Sequence, residues 1–515
     1  MRLLLFFFVY LFFLQSNAQS FEVFVDGKRV KVNEQNDVPL SSGLSTYKYV
    51  RIPYSGKPIF IEVEPSDFSF NDSDWSISPK RYKINGKKMG NKLSFRINRL
   101  GYVVLRFMKN HDFTKRIILL FEVPEIVPDN RIDIVQAYGV DNSGKKNETM
   151  KIQAALDGIS GSEKTLYFPP GIYKTGKLEF RSNSRIYLAK RARILADPSS
   201  LSSYMSDDDN GLNRFLLIKD VQNLEISGLG TFDGNGTQIL GVSHREFSKA
   251  INNEDLQGIR LLLIYRSKNI KINGILLKDS ARWNTHILES NNVSFSYCKV
   301  MNNPNENEYL GSLDGWDPDS STDVLIENCF GWAGDDTIAI KCTGLGGSQD
   351  KVPNSDRIII RKNVLLTKKS ALKIGTETFC SLMQNIVFED NDIIESDRVM
   401  GINVRDGALV KEVLFKNNYA EFCYPDRKQM GMNFFITKRN KETSPLGKIQ
   451  NITIQDCTFE TSFPKKLSFY RYYPETEIKD LSIHFINLVI GGKKIEEIDP
   501  EFFDLKKNNA DLIFN

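Results

Sequence analysis

Histidine is scarce in this 515-residue chain: the four present (His111, His244, His286 and His484) are scattered. None of the six cysteines forms a C-x-x-C pair. A zinc site is therefore not expected, and nothing in the sequence calls for a metal or any other cofactor. Six cysteines in so long a chain are also too few for a disulfide scaffold. Basic runs are missing too. Lysine and arginine total 68 against 64 acidic residues, a net charge of +4 spread along the chain, so no nucleic-acid footprint is legible. Beyond the first residues no stretch is long and apolar enough to span a bilayer.

Those first residues have their own pattern. Met1-Arg2 precedes an almost wholly apolar run from Leu3 to Leu14, which ends in the small-x-small tripeptide Ser16-Asn17-Ala18. This reads as a signal peptide at residues 1–18, cut after Ala18, and predicts a soluble, secreted or periplasmic protein. A monomer is expected.

The length suggests two domains, or one long repetitive one. From Phe21 to about residue 126, short apolar runs such as Phe21–Val25, Ile59–Val63, Tyr102–Phe107 and Ile117–Phe121 alternate with turns. They predict a small antiparallel β-sandwich over residues 19–126, a cap on the larger C-terminal region rather than a carbohydrate-binding module. Val127-Pro128-Asp129-Asn130 reads as a linker. Ile152, Ala155 and Leu156 then mark one face of a short amphipathic helix.

Over residues 130–515 a repeat emerges. A polar residue, an apolar one, any residue and another apolar one recur from Arg185, Asn223, Asn269, Asn292, Asp323, Arg357, Asn385, Glu412, Asn451 and Asp480. Irregular intervals of a few tens of residues fit a solenoid whose coils vary through external loops. Six residues after each start from Asn223 stand Leu229, Ile275, Cys298, Cys329, Asn363, Asn391, Asn418, Cys457 and Ile486. Stacked positions of this kind make side-chain ladders, so these cysteines read as small core residues. The expected fold is all-β, a right-handed parallel β-helix with the short helix in its N-terminal cap.

The chemistry concentrates between Asp314 and Lys341. Asp314 and Asp317 lie at one end and the pair Asp335–Asp336 at the other, beside the apolar runs Val324-Leu325-Ile326 and Ile338-Ala339-Ile340. Strands that fold back on one another can bring such carboxylates into one cleft. Converging carboxylates suit glycosidic cleavage, one protonating the leaving oxygen and another activating water.

From about Ala137 to Asn418 the chain resembles the polygalacturonase-type glycoside hydrolases of family 28, within the pectin-lyase-like β-helices. Six motifs carry the resemblance in order: Gly171-Ile172-Tyr173-Lys174-Thr175-Gly176; Gly230–Gly236; Trp283 with His286; Asp314-Gly315-Trp316-Asp317; Gly334-Asp335-Asp336 with Ile338–Lys341; and Ile374-Gly375-Thr376-Glu377. Two departures accompany them. The family's G-H-G histidine falls on Ser370, and its uronate-gripping R-I-K falls on Gly401-Ile402-Asn403, flanked by Arg398 and Arg405. The extra N-terminal β-domain is reminiscent of the dextranase and isopullulanase group.

The resemblance implies a polysaccharide hydrolase acting by inversion, with Asp335 as general acid and Asp314 and Asp336 holding and activating water. Lys341 would contact a substrate hydroxyl or acid group, or pair with a site aspartate. Asp317, Lys373, His286 and Arg405 are further candidate substrate contacts, each with a structural reading beside it. Trp283 and Trp316 are candidate sugar-stacking platforms. Because the clamp is altered, plain polygalacturonate is not the expected substrate, or is gripped differently. Two alternatives stand: a polysaccharide lyase on the same fold, for which Asp317, Asp319 and Asp323 would be offered as calcium ligands, and a non-catalytic glycan-binding β-helix.

Overall fold

The protein is described from a computed structural model that covers residues 21–34, 48–107, 115–205, 211–240, 258–302, 312–345, 351–424, 431–461, 466–473, 475–504 and 509–515. The expected signal peptide, His111 and His244 lie outside the described residues.

Residues 131–515 wind into a right-handed parallel β-helix. Among the described residues its wall is made of three sheets of 13, 12 and 10 strands, parallel except where Leu488–Ile490 and Lys493–Ile495 pair antiparallel at the end of the 12-stranded sheet, and most coils contribute one strand to each. The repeat owes its shape to backbone geometry. Asn223, Asn269, Asn292, Asp323, Arg357, Asn385, Glu412 and Asn451, all repeat starts, are left-handed, with φ between 52° and 58°. Asparagine and aspartate tolerate this region better than most residues. The asparagines also stack: Asn269 Nδ2 donates to Asn223 Oδ1 at 2.9 Å, and Asn292 Nδ2 to Asn269 Oδ1 at 2.8 Å. The apolar positions one and three residues later, such as Ile270 and Ile272 or Val324 and Ile326, point into the core.

The ladder six residues on also forms. Asn363 Nδ2 donates to Asn391 Oδ1, and Asn391 Nδ2 to Asn418 Oδ1, both at 2.9 Å. Cys298, Cys329 and Cys457 occupy buried positions of the same column, and all six cysteines are free thiols. The helix Thr149–Gly158 buries Ile152, Ala155 and Leu156 against the first coils.

The N-terminal unit pairs two five-stranded sheets around its own core. Strand pairing is antiparallel except where Arg116–Glu122 runs parallel to Lys48–Pro53. The position of this unit differs from an end cap. Tyr49, Tyr102, Val104, Ile118 and Leu120, on the outer face of one sheet, pack side-on against Leu276, Met301, Phe330, Trp332, Val364, Leu366 and Ile394 of the 12-stranded sheet. Burial on both faces explains why Ile117–Phe121 is a continuous apolar run and not an alternating one. Buried ions fasten the joint. Arg116 Nη1 lies 3.1 Å from Glu395 Oε2, and Arg51 Nη2 lies 2.8 Å from Glu122 Oε1, which also receives Lys299. The 10-stranded sheet is left free to carry the candidate site.

Candidate active site

The carboxylates come together on the 10-stranded sheet because successive coils place them in register. Thr285 pairs with Trp316, Trp316 with Ile338, and Ile338 with Leu372. Two residues before each pair, the same register aligns Trp283, Asp314, Asp336 and Ser370. Gly315 permits the close approach: a Cβ there would lie 2.4 Å from the Thr337 carbonyl oxygen of the next coil. Its N–H donates to the Asp336 carbonyl at 2.9 Å, tying the two aspartates together through the backbone.

Asp335 and Asp336 occupy the turn between strands Phe330–Ala333 and Ile338–Cys342. Neighbours in sequence, they have opposite environments. Asp336 accepts from Lys373 Nζ at 2.5 Å and from the Ser370 N–H at 3.0 Å. Burial alone would raise its pKa, but the charge and hydrogen bond of Lys373, helped by Lys341 and Ser370, bring it down to about 2. Asp335 accepts from the Ser312 N–H at 2.8 Å. Burial, then the nearby charges of Asp314 and Asp336, push it up to about 7. One carboxyl is thus held ionised while its neighbour keeps a proton near neutrality, the split that acid–base work requires.

Asp314 and Asp317 share Lys341, whose Nζ lies 2.8 Å from Asp314 Oδ2 and 3.1 Å from Asp317 Oδ1. Glu377 stands 3.9 Å away. Burial works against the lysine's charge, but these three carboxylates hold it protonated, well above its ordinary pKa. Burial raises the pKa of both aspartates, that of Asp317 to about 6, against the pull of Lys341. Lys341 also sits 3.6 Å above the ring of Trp283. Of its two readings, the pairing with site aspartates is the one observed.

Several candidate substrate contacts require correction. Trp316 is wholly buried and packs edge-on against Phe295 in the helix core, so neither face of its ring can receive a sugar. One face of Trp283 is covered by Lys341. His286 is also fully buried, with Nε2 2.9 Å from Asp319 Oδ2; burial lowers its pKa to about 4 despite that bond. It orients Asp319, which also accepts from the Thr343 N–H at 2.9 Å. Asp317 is equally buried and serves Lys341. Arg405, two coils beyond Asp336, has no ion pair to the acidic cluster. Asp317, Asp319 and Asp323 do not converge on a cation: they pair with Lys341, His286 and Arg357 respectively. No group of metal-ligating side chains occurs among the described residues.

The altered positions acquire partners that sequence alone does not reveal. Ser370 supplies its N–H to Asp336, and its Oγ accepts from Arg398 Nη1 at 3.0 Å. Arg398 reaches that point across Gly401, where a Cβ would meet its Cδ at 2.7 Å. Arg260 and Arg282, whose guanidinium carbons lie 5.2 and 5.8 Å from the centre of the Trp283 ring, were also not legible as neighbours of the site. The one available signal was the recurrence of arginine at paired positions of successive coils, Arg214 and Arg260.

Residues 169–469 match the family described as "Glycosyl hydrolases family 28". A probable polygalacturonase of Vitis vinifera is 26% identical over 310 residues, covering 56% of this chain and 58% of that protein. The chain thus spans a little over half the length of that curated relative. Among solved structures, a hyperthermoactive exopolygalacturonase from Thermotoga maritima aligns over 72% of this chain and 94% of its own, at 19% identity and a TM-score of 0.57. Dex49A from Penicillium minioluteum aligns over 96% of this chain and 93% of its own, at 11% identity and a TM-score of 0.53. These two likenesses are of fold, the second extending over both units.

Proposed function

The chain belongs to glycosyl hydrolase family 28, and from that premise we propose that it hydrolyses glycosidic bonds in a polysaccharide with inversion of the anomeric centre. The observation that carries this reading is the opposed setting of two neighbouring carboxyls in one buried cluster: Asp336 accepts from Lys373 Nζ and the Ser370 N–H, while Asp335 accepts from the Ser312 N–H and faces the charges of Asp314 and Asp336. Asp335 donates its proton to the glycosidic oxygen as the bond from that oxygen to the anomeric carbon breaks. Asp336, ionised by Lys373, takes a proton from water as the water oxygen bonds to that carbon from the opposite face. Asp314, fixed by Lys341, positions the water. Lys341 and Lys373, the lysines nearest the cluster, are both engaged by carboxylates and so are poor candidates for the base of a lyase.

The substrate is a polysaccharide or oligosaccharide held by groups other than an R-I-K clamp, because Gly401 and Asn403 stand at its cationic positions. Export follows from the apolar N-terminal run and Ala18. The test is a screen of purified protein against plant, algal and bacterial polysaccharides, with product anomers followed by proton NMR. Asp335→Asn is expected to reduce turnover by about 10²–10⁴-fold. First products that retain the substrate's anomeric configuration, or full turnover by folded Asp335→Asn, would refute the mechanism.

A further inference from the structure

At the turn between the 13- and 12-stranded sheets, two side chains depart from what their backbone asks for. From Asn292 to Asn451, the fifth residue after each repeat start is left-handed, with φ between 49° and 56°. Asn328, Asp390, Asn417 and Asp456 are the types that tolerate this conformation best. The other two are Tyr297 and Lys362. A bulky residue is strained there, and such departures gather where function selects the side chain. The fold itself does not use either side chain. Tyr297 is 37% exposed and Lys362 is exposed, and among the described residues neither side chain forms a hydrogen bond or an ion pair.

Both line a cleft of about 370 Å³ between the β-helix and the N-terminal unit, a volume within the range of ligand sites. On the opposite wall the exposed Arg99 lies flat on Tyr82, its guanidinium carbon 3.6 Å from the ring centre. The other charged groups of the cleft hold the joint together. Arg81 donates to the Asn417 and Asp390 carbonyls, each at 2.8 Å, and pairs with Asp392 at 2.9 Å. Asp390 accepts from Asn417 Nδ2 at 2.5 Å. Asp392 also acts on Arg99, without forming an ion pair with it. The charged lining is Arg81, Arg99 and Lys362 against Asp390 and Asp392, a positive excess carried by exposed side chains.

We propose that this cleft is a second glycan-binding site, separate from the acidic cluster, and that its ligand is a uronic-acid-containing segment of a polysaccharide. Tyr297 offers an aromatic face to a pyranose ring, while Lys362 and Arg99 receive carboxylates. Tyr297 and Lys362 stand two coils apart, about 10 Å, so they contact different sugar units of one chain. The site gives the N-terminal unit a role beyond covering the 12-stranded sheet, because Tyr82 and Arg99 supply its second wall. It would hold polymer to the protein without touching the bond that is cleaved. The choice of a glycan rests on reading the protein as a polysaccharide hydrolase.

The experiment is affinity electrophoresis of the full chain carrying Asp335→Asn through gels containing polygalacturonate or neutral galactan. Polygalacturonate should bind at least about tenfold more tightly, the scale of a charge-assisted hydrogen bond. Adding Tyr297→Asn and Lys362→Asn, substitutions to the residue type this turn prefers, should weaken polygalacturonate binding at least about tenfold without lowering the melting temperature. Lys268→Asn removes the same charge from an exposed site on the strand Lys268–Asn273 and should leave binding unchanged. Equal binding of the two polymers, undiminished binding by the double variant, or an equal loss in Lys268→Asn would overturn the proposal. A melting temperature lowered by the double variant would also overturn it, by showing that the two side chains serve the joint. Full turnover by Asp335→Asn would instead defeat the reading of the acidic cluster and leave the binding results standing.

Discussion

Lys373 Nζ lies 2.5 Å from Asp336 Oδ2, so a lysine on one coil sets the charge of a carboxylate on the coil before it. Without that lysine, only Lys341 and the Ser370 hydrogen bond would oppose burial, and the pKa of Asp336 would rise from about 2. Lys373→Met should therefore move the acidic limb of the pH profile of kcat/KM upward by roughly 1–3 pH units, and lower kcat at pH 5. An unmoved acidic limb in an active variant would show that Asp336 is not the group ionised for catalysis.

The alkaline limb belongs to Asp335. Its pKa is pushed up to about 7, so its proton, and activity with it, should be lost as pH rises through 7. Stability responds with the same sign. Below the unfolded value of 3.8 the carboxyl is protonated in both states. Between 3.8 and about 7 the unfolded chain releases the proton first, so the folded state loses stability as pH rises. Asp335→Asn removes that cost. It should stabilise the protein by about 0.5–2 kcal/mol at pH 8, with the gain vanishing below pH 4. Urea midpoints at the two pH values test this, and a gain that grows toward acid would contradict it.

The fold was largely legible because a solenoid writes its period into the sequence. The left-handed residue that opens each repeat, the two core residues after it and the cysteine–asparagine column all recur. The acidic cluster was legible for a related reason: Asp314 and Asp336 occupy one register position on neighbouring coils. Burial was not legible. Trp316 and His286 have the residue types of sugar contacts but are wholly buried: Trp316 points into the core beside Phe295, and His286 is enclosed by Asp319 and Trp283, neither of which the residue type reveals. The partners of Asp336 and Ser370 were hidden for another reason. Lys373 and Arg398 reach them across coils, and only the register shows how far a long side chain must extend.

Nor could local sequence predict how the two units are joined. Arg116 inserts between Glu395 and the face of Trp332, 4.7 Å from that ring, while Arg106 approaches the same glutamate at 3.3 Å. Glu395→Ala would take the Glu395 carboxylate away from the buried Arg116 and Arg106 guanidinium groups at once, at a cost of about 3–5 kcal/mol. Urea denaturation should show this loss. A second expected outcome is separation of the unfolding of residues 21–122 from that of the β-helix. A loss below about 1 kcal/mol would mean that water reaches Arg116 and the joint is held by its apolar contacts alone.

The asparagine column provides a test of the solenoid remote from the chemistry. Asn363 Oδ1 accepts from the Cys329 N–H at 2.8 Å, while its Nδ2 donates to Asn391 Oδ1 at 2.9 Å and to the Ile326 carbonyl at 3.1 Å. It therefore joins three successive coils at the turn between the 13- and 12-stranded sheets. Asn363→Ala deprives the buried Cys329 N–H of its acceptor and the Ile326 carbonyl of a donor, and should destabilise the protein by about 1–3 kcal/mol. The acidic cluster stands on the 10-stranded sheet, across the core from this turn. Turnover per folded molecule should consequently remain within about twofold of wild type well below the melting temperature. A large fall in turnover at unchanged stability would mean that the column governs the spacing of the catalytic coils as well as holding the turn together.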